Sequence, residues 1–300
     1  MASEGSHDTN IIINNTLLTG IQNVSFQQNY NEEPLSLLGN AYASTQIEGP
    51  PTTTAKIDKL LLNRDFITGL TGSTGIFGSF VYGDNAIQFN RAVLDGYSLS
   101  VGIGSDPEIS FDFTVHGDMS GIQPNLVVYA TPVVPSDLVS AATPDNAIAE
   151  INQTGISVEL STTDNPQIGG VGVVANAVQS FTFTETYQYQ PKYKIGDHKP
   201  CQMDLIKPIQ QSATFSMEIE DYAIQNRYNH LQGISEGGFA GGIFNDFAYR
   251  NSKVVKLTLT TKNGDKNVFE LKNAYLSSET ISQGVGDTVV ANLTFRGHKT

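Results

Sequence analysis

Thr214-Phe-Ser-Met-Glu-Ile-Glu220 decides the fold class. Apolar Phe215, Met217 and Ile219 alternate with Ser216, Glu218 and Glu220, a period of two that puts the sets on opposite faces of an extended strand. Outward from this segment the pattern recurs. Val255-Lys-Leu-Thr-Leu-Thr260 alternates and runs into Asn263-Gly264, which reads as a type I′ hairpin turn before Val268-Phe-Glu-Leu271 returns. Glu108-Ile-Ser-Phe-Asp-Phe-Thr-Val115 and Val289-Val-Ala-Asn-Leu-Thr-Phe295 alternate too. Helix signals are few. One begins at Asp221 as N-cap, with Ile224, Tyr228 and Leu231 on one face, and stops at Gly233; a second, shorter one runs from Asp145 through Ala147 to Ile151. Neither alternates with strands as a βαβ protein requires, so the class expected is mainly β with few short helices.

An internal repeat organises the chain. Residues 21–40 align without a gap to 178–197, with identities Gln22/Gln179, Phe26/Phe183, Tyr30/Tyr187, Pro34/Pro191 and Gly39/Gly196. Residues 87–116 align without a gap to 269–298, with Ala92/Ala274, Leu94/Leu276, Ser100/Ser282, Gly102/Gly284, Gly104/Gly286, Phe113/Phe295 and His116/His298. The offset grows between the two matches, which places an insertion inside the second copy. The division expected is an N-terminal arm over 1–20, a first β domain over 21–118, a connecting insertion over 119–177 and a second β domain over 178–300. The insertion holds Pro124, Pro132, Pro135, Pro144 and Pro166 and two strand candidates, 126–129 and 156–160. In the arm, Ile11-Ile-Ile13 and Leu17-Leu18 stand in a polar context and read as an exposed docking segment.

Charge narrows the partners. The chain has 17 basic and 30 acidic residues, a net of −13. Residues 1–177 hold four basic residues, Lys56, Lys59, Arg64 and Arg91, against 18 acidic ones, a net of −14; residues 178–300 sit at +1. A basic face for neutralising phosphates is missing, so tight nucleic-acid wrapping and membrane-surface binding are not expected. The asymmetry suits an acidic half that meets a near-neutral half of a neighbour. No run approaches the roughly 18 apolar residues of a membrane span, and the first residues lack the pattern of a signal peptide. A single cysteine, Cys201, leaves no disulfide framework.

Chemical motifs fail on context. Gly233-Ile-Ser-Glu-Gly237 spells a nucleophile elbow, but that elbow needs a strand before and a helix after the serine, and here a helix candidate precedes it. Gly170-Val-Gly-Val-Val-Ala175 fits a dinucleotide fingerprint without the helix that would hold a pyrophosphate. His7, His116, His198, His230 and His298 show no ligand spacing, and Cys201 has no partner pair near His198. No catalytic residue, cofactor or metal site is expected.

The unit has a grammar of its own. A leading strand reaches an aromatic residue, Tyr30 or Tyr187, then a proline and a glycine, and a long alternating strand follows. Phe89-Asn-Arg-Ala-Val-Leu94 and Leu271-Lys-Asn-Ala-Tyr-Leu276 then lead through a Ser/Gly stretch into a closing strand with Phe113 or Phe295. This resembles the tail tube proteins of tailed bacteriophages and of contractile injection systems, in a doubled-domain form. The resemblance implies two tandem tube-type β-sandwich or barrel domains. It implies a structural virion protein, built in the host cytoplasm, whose three-subunit rings have pseudo-sixfold symmetry and stack into a conduit for genome delivery. Partners implied are further copies of the chain, sheath, tail terminator and baseplate proteins, and double-stranded DNA that passes without specific binding. Asp58, Glu218 and Glu220 are then candidates to face the lumen, with Lys56 beside Asp58 as an exception to an acidic wall. The arm of residues 1–20 would add to ring stacking. Alternatives are a tube-like baseplate or distal-tail ring, and a β-sandwich receptor- or carbohydrate-binding module; the absence of tryptophan weighs against a sugar platform.

Overall fold

A computed structural model describes residues 9–29, 32–35, 45–48, 52–62, 65–72, 75–82, 85–116, 119–121, 143–144, 151–162, 178–195, 200–219, 253–283 and 289–299. The described residues are mainly β. In chain order the strands are β1 (Thr9–Ile13), β2 (Thr16–Leu18), β3 (Ile21–Asn29), β4 (Glu32–Leu35), β5 (Thr45–Glu48), β6 (Thr52–Leu60), β7 (Ile76–Tyr82), β8 (Asn85–Gly102) and β9 (Glu108–Val115). They continue with β10 (Met119–Gly121), β11 (Thr143–Pro144), β12 (Ile151–Thr162), β13 (Val178–Lys192), β14 (Gln202–Ile219), β15 (Lys253–Thr261), β16 (Lys266–Gln283) and β17 (Val289–Lys299). A 3-10 turn, Ile67–Leu70, is the one helical element among them. The helix expected from Asp221 lies outside the described residues, as does the strand expected over 126–129. Of the helix expected from Asp145 only Ile151 is described, and it opens β12 instead.

Fifteen strands join one large, almost wholly antiparallel sheet, and β4 and β5 form a separate hairpin. Period-two burial explains the strands. Ile109, Phe111, Phe113 and Val115 of β9 are buried, and so are Ala55 and Ile57 of β6, while Lys56 between them is exposed.

The repeat in sequence is a repeat in hydrogen-bond register. β3, β6, β9 and the second half of β8 pair in that order, as do β13, β14, β17 and the second half of β16. Phe26 lies across from Ala55 and Ala55 from Phe113; in the second set Phe183 lies across from Ala213 and Ala213 from Phe295. The irregularities repeat as well. The β8–β9 register shifts between Leu94 and Gly96, and the β16–β17 register between Leu276 and Ser278. Arg91 and Asn273, at matching positions, both have φ of 52°, in the left-handed region that side chains rarely adopt. Bulges and left-handed residues bend a strand. Here they let each 18-residue strand serve β7 or β15 with its first half and β9 or β17 with its second. Ala92, Leu94, Ala274 and Leu276 are buried at that bend. Pro34 lies in β4 and Pro191 in β13; Gly102 ends β8, and Gly104 turns the chain at φ 73°. Tyr30, Gly39, Gly196, Gly284 and Gly286 lie outside the described residues.

Two expectations are corrected. The Asn263-Gly264 turn is not type I′, because only Gly264 has positive φ (90°); Thr261 N donates to Asp265 O at 2.8 Å and Gly264 N to Thr261 O at 2.9 Å, a three-residue loop. The type I′ signature belongs to Asn14 and Asn15, both left-handed between β1 and β2. The apolar cluster of the N-terminal arm is not an exposed docking segment: β1 pairs with β7, and Ile11, Ile13 and Leu18 are buried in the core.

The β1–β7 contact is tight enough to test. Gly78 lies across from Ile13, and a Cβ on it would stand 2.5 Å from Phe89 Cζ and 2.6 Å from the Ile12 carbonyl oxygen. Gly78→Ala is expected to cost about 1–3 kcal/mol as β1 or Phe89 is displaced. The check is the urea midpoint; an unchanged midpoint would mean that the N-terminal hairpin does not pack there.

Candidate functional site: a polar face across both repeats

The two four-strand sets are themselves joined. Ser180 to Thr186 of β13 pair with Gly102 to Gly96 of β8, so eight strands run continuously from β3 to β16. Alternation sends one set of side chains from all eight to a single face. In the second repeat this face carries Ser180, Thr182, Thr184, Ser212, Thr214, Ser216, Asn292 and Thr294. Cross-strand hydroxyl bonds tie it together: Ser180 to Ser216 at 2.8 Å, Thr184 to Ser212 at 2.6 Å and Thr214 to Thr294 at 3.1 Å. Arg296, across from Ser212, is exposed on this face.

The first repeat makes the same face acidic. Asp58 accepts a hydrogen bond from Asn23 Nδ2 at 3.1 Å and lies 3.9 Å from Lys56 Nζ. Lys56 pairs across the strands with Asp112, and Thr114 donates to Asp95. Burial raises the Asp112 carboxyl above the ordinary range; the Lys56 charge opposes this and that of Asp58 adds to it. Burial also raises Asp95, with the Thr114 hydrogen bond opposing and Asp112 adding. Of the residues expected to share a face, Lys56 and Asp58 do so, opposite Ala55 and Ile57. Glu218 lies in β14 across from Val290, and Glu220 is outside the described residues. Asp112 and Asp95 were not among the expected residues. Parity along Glu108–Val115 places Asp112 on the face, whereas the bulge at Asp95 breaks the parity that would have placed it.

Beneath the face, the seam between the repeats is sealed by aromatic and polar side chains. Tyr97 stacks on Phe269 (centroids 6.3 Å apart), and Phe183 packs against the same ring at 5.9 Å. Buried Glu185 accepts hydrogen bonds from the Tyr187 hydroxyl and Gln211 Nε2, and Lys299 Nζ stands 3.4 Å away. Tyr187 reaches Thr71 at 3.1 Å, which pins the loop after the 3-10 turn. Desolvation and the Glu185 charge push the Tyr187 hydroxyl far above its usual range. Asp65 Oδ1 accepts from the Ile67 amide at 2.9 Å, while Asp65 Oδ2 and the Tyr97 hydroxyl are buried and interact with each other without reaching full hydrogen-bond geometry. Burial raises the Asp65 carboxyl, against the opposing pull of the Ile67 amide, Tyr97 and Lys59.

Among the described residues no group of three or more His, Cys, Asp and Glu is placed to hold a metal ion, and no helix is long and apolar enough to cross a membrane. Cys201 is exposed, its Sγ 3.2 Å from the Lys192 carbonyl. The arrangement is a polar sheet face, tied by cross-strand hydroxyl bonds in the second repeat and carrying carboxylates in the first.

A raised carboxylate gives a signed expectation. With its folded pKa above the unfolded value of about 4, the Asp65 contribution is favourable below that pH and is lost as pH rises through the folded pKa. Asp65→Asn keeps an acceptor for Ile67 and removes the buried charge. It is expected to raise the melting temperature at pH 7, with the gain shrinking as pH falls toward 4. A gain that grew on acidification would contradict this.

No protein-family model matches the chain, and no curated protein matches it.

Proposed function

We propose that this chain is a tail tube subunit, a structural virion protein whose rings stack into the conduit for genome delivery. The observation that carries the reading is the duplicated bend. The segments Phe89–Leu94 and Leu271–Leu276, on which the likeness to tube proteins rests, sit at the same left-handed residue and the same bulge in strands of equal length. On this reading the repeats are two tandem tube-type domains, and three chains make a ring with pseudo-sixfold symmetry. First and second domains then alternate, so each acidic unit meets near-neutral neighbours and like-charge contact is avoided. Other copies, sheath, terminator and baseplate proteins are the partners, and the virion tail is the location.

The continuous polar face is the candidate lumen wall. A wall that lets DNA slide must not gather cations, because each phosphate neutralised adds affinity. On the described part of this face Lys56 stands between Asp58 and Asp112, Arg296 is exposed in the second repeat, and the rest of the second repeat's part is largely hydroxyl. The wall would therefore be acidic in alternate domains and mostly hydroxyl with one arginine in the others, in place of a uniform acidic lining.

Electron microscopy of the purified protein tests the reading. The expected particle is a hollow stacked ring of hexagonal outline, with a ring mass of three 32.4-kDa chains. Single unstacked rings would favour a baseplate or distal-tail ring, and a monomer at all concentrations would overturn the reading.

A further inference from the structure

The chain contains its own template for joining to another copy. Within it, the second half of β8 has β9 on one edge and β13 on the other. Its counterpart, the second half of β16, has β17 on one edge, and among the described residues nothing pairs with the other. Likewise β13 lies between β14 and β8, whereas its counterpart β3 has β6 on one side and no described partner on the other. The two open edges are therefore the two halves of a junction that the chain already makes once. Burial agrees. Phe183 is buried at 3%, while its counterpart Phe26 is only partly buried; Ser278 and Thr280 of β16 are exposed, while their counterparts Gly96 and Ser98 are half-buried.

We infer that the open edge of β16 in one chain pairs antiparallel with the open edge of β3 in a second copy, in the register of the internal β8–β13 junction. Carried through the repeat, Thr182 opposite Ser100 becomes Ser25 opposite Ser282, Phe183 opposite Leu99 becomes Phe26 opposite Ile281, and Glu185 opposite Tyr97 becomes Gln28 opposite Glu279. Ile103 N donates to Gln179 O, directly across, at 3.0 Å. That fixes the alternation of an antiparallel ladder. Ser25 and Ser282 fall at a closely spaced pair without mutual backbone bonds, and Gln28 points its N–H at the neighbour. The contact is head-to-tail, so it propagates around a ring and buries an edge that would otherwise invite indiscriminate pairing. This names the partner surface for the proposed ring, and rests on that reading only in expecting the chains to close.

The test is disulfide trapping in the full chain with Cys201→Ser. Ser25→Cys with Ser282→Cys should give a ladder of linked chains on a non-reducing gel after mild oxidation, since a close antiparallel pair brings Cβ atoms to about 5 Å. Ser25→Cys with Ser278→Cys, four residues along the strand and so about 13 Å out of register, should stay near background. Gln28→Pro should abolish assembly and leave the far-ultraviolet spectrum and melting temperature unchanged, because an edge strand tolerates proline where only an outward N–H is lost. Assembled particles without the Ser25–Ser282 link, or with equal linking in the displaced pair, would overturn the register and leave the tube reading standing. Linked closed oligomers that never stack would do the reverse. A chain that stays monomeric and unlinked would end both.

Discussion

One stretch of antiparallel ladder, Ser180–Thr186 against Gly102–Gly96, holds the two halves of this protein in a single sheet. Without it the second half of β8 and the leading strand β13 would each present a row of unpaired backbone groups. The joint is local in geometry but not in sequence, since it reaches across everything between β8 and β13. Its position is set by the bend at Arg91 and the bulge near Asp95. These turn β8 from β7 toward β9, leaving β13 to follow on the same side as β7.

The side chains at this joint divide the work. Packing of Tyr97, Phe183 and Phe269 removes three large rings from water, worth about 1.5–3 kcal/mol for each ring fully buried. The polar groups around them are less favourable. Glu185 is well supplied, with two donors and a nearby ammonium. Asp65 has the Ile67 amide and an imperfectly aligned Tyr97 hydroxyl, and burial still raises its carboxyl. A well-paired carboxylate and an under-paired one at a single seam have opposite effects: the first fixes the register of β13 against β14, and the second lowers stability.

Much of the fold is legible in the sequence because burial is one-sided. Glu108–Val115 alternates without a break, and the strand has those same bounds. The repeat is legible for a different reason: identical residues mark positions where the backbone does something unusual, such as the bend before Ala92 and Ala274. What the sequence hides follows from the same physics. A bulge breaks period two, so the full length of β8 and the place of Asp95 cannot be read from alternation. The N-terminal hairpin is hidden because a cluster such as Ile11-Ile-Ile13 looks exposed until a partner strand is known, and because Asn14-Asn15 is a weaker turn signal than Asn263-Gly264, which adopts a longer loop. Asp58 is placed by parity next to Ala55 and Ile57, but its neighbours Asn23 and Asp112 come from strands whose registry no local pattern gives.

Covalent linkage of the two repeats has a kinetic side. The joint between β8 and β13 closes inside one chain, so its partners meet at an effective concentration set by the connecting residues, on the order of millimolar for a flexible tether. A joint of the same geometry made between chains forms only at the bulk concentration of the protein. Dilution would then separate chains long before it separated repeats, and the smallest species released would be a two-repeat unit with its internal joint intact.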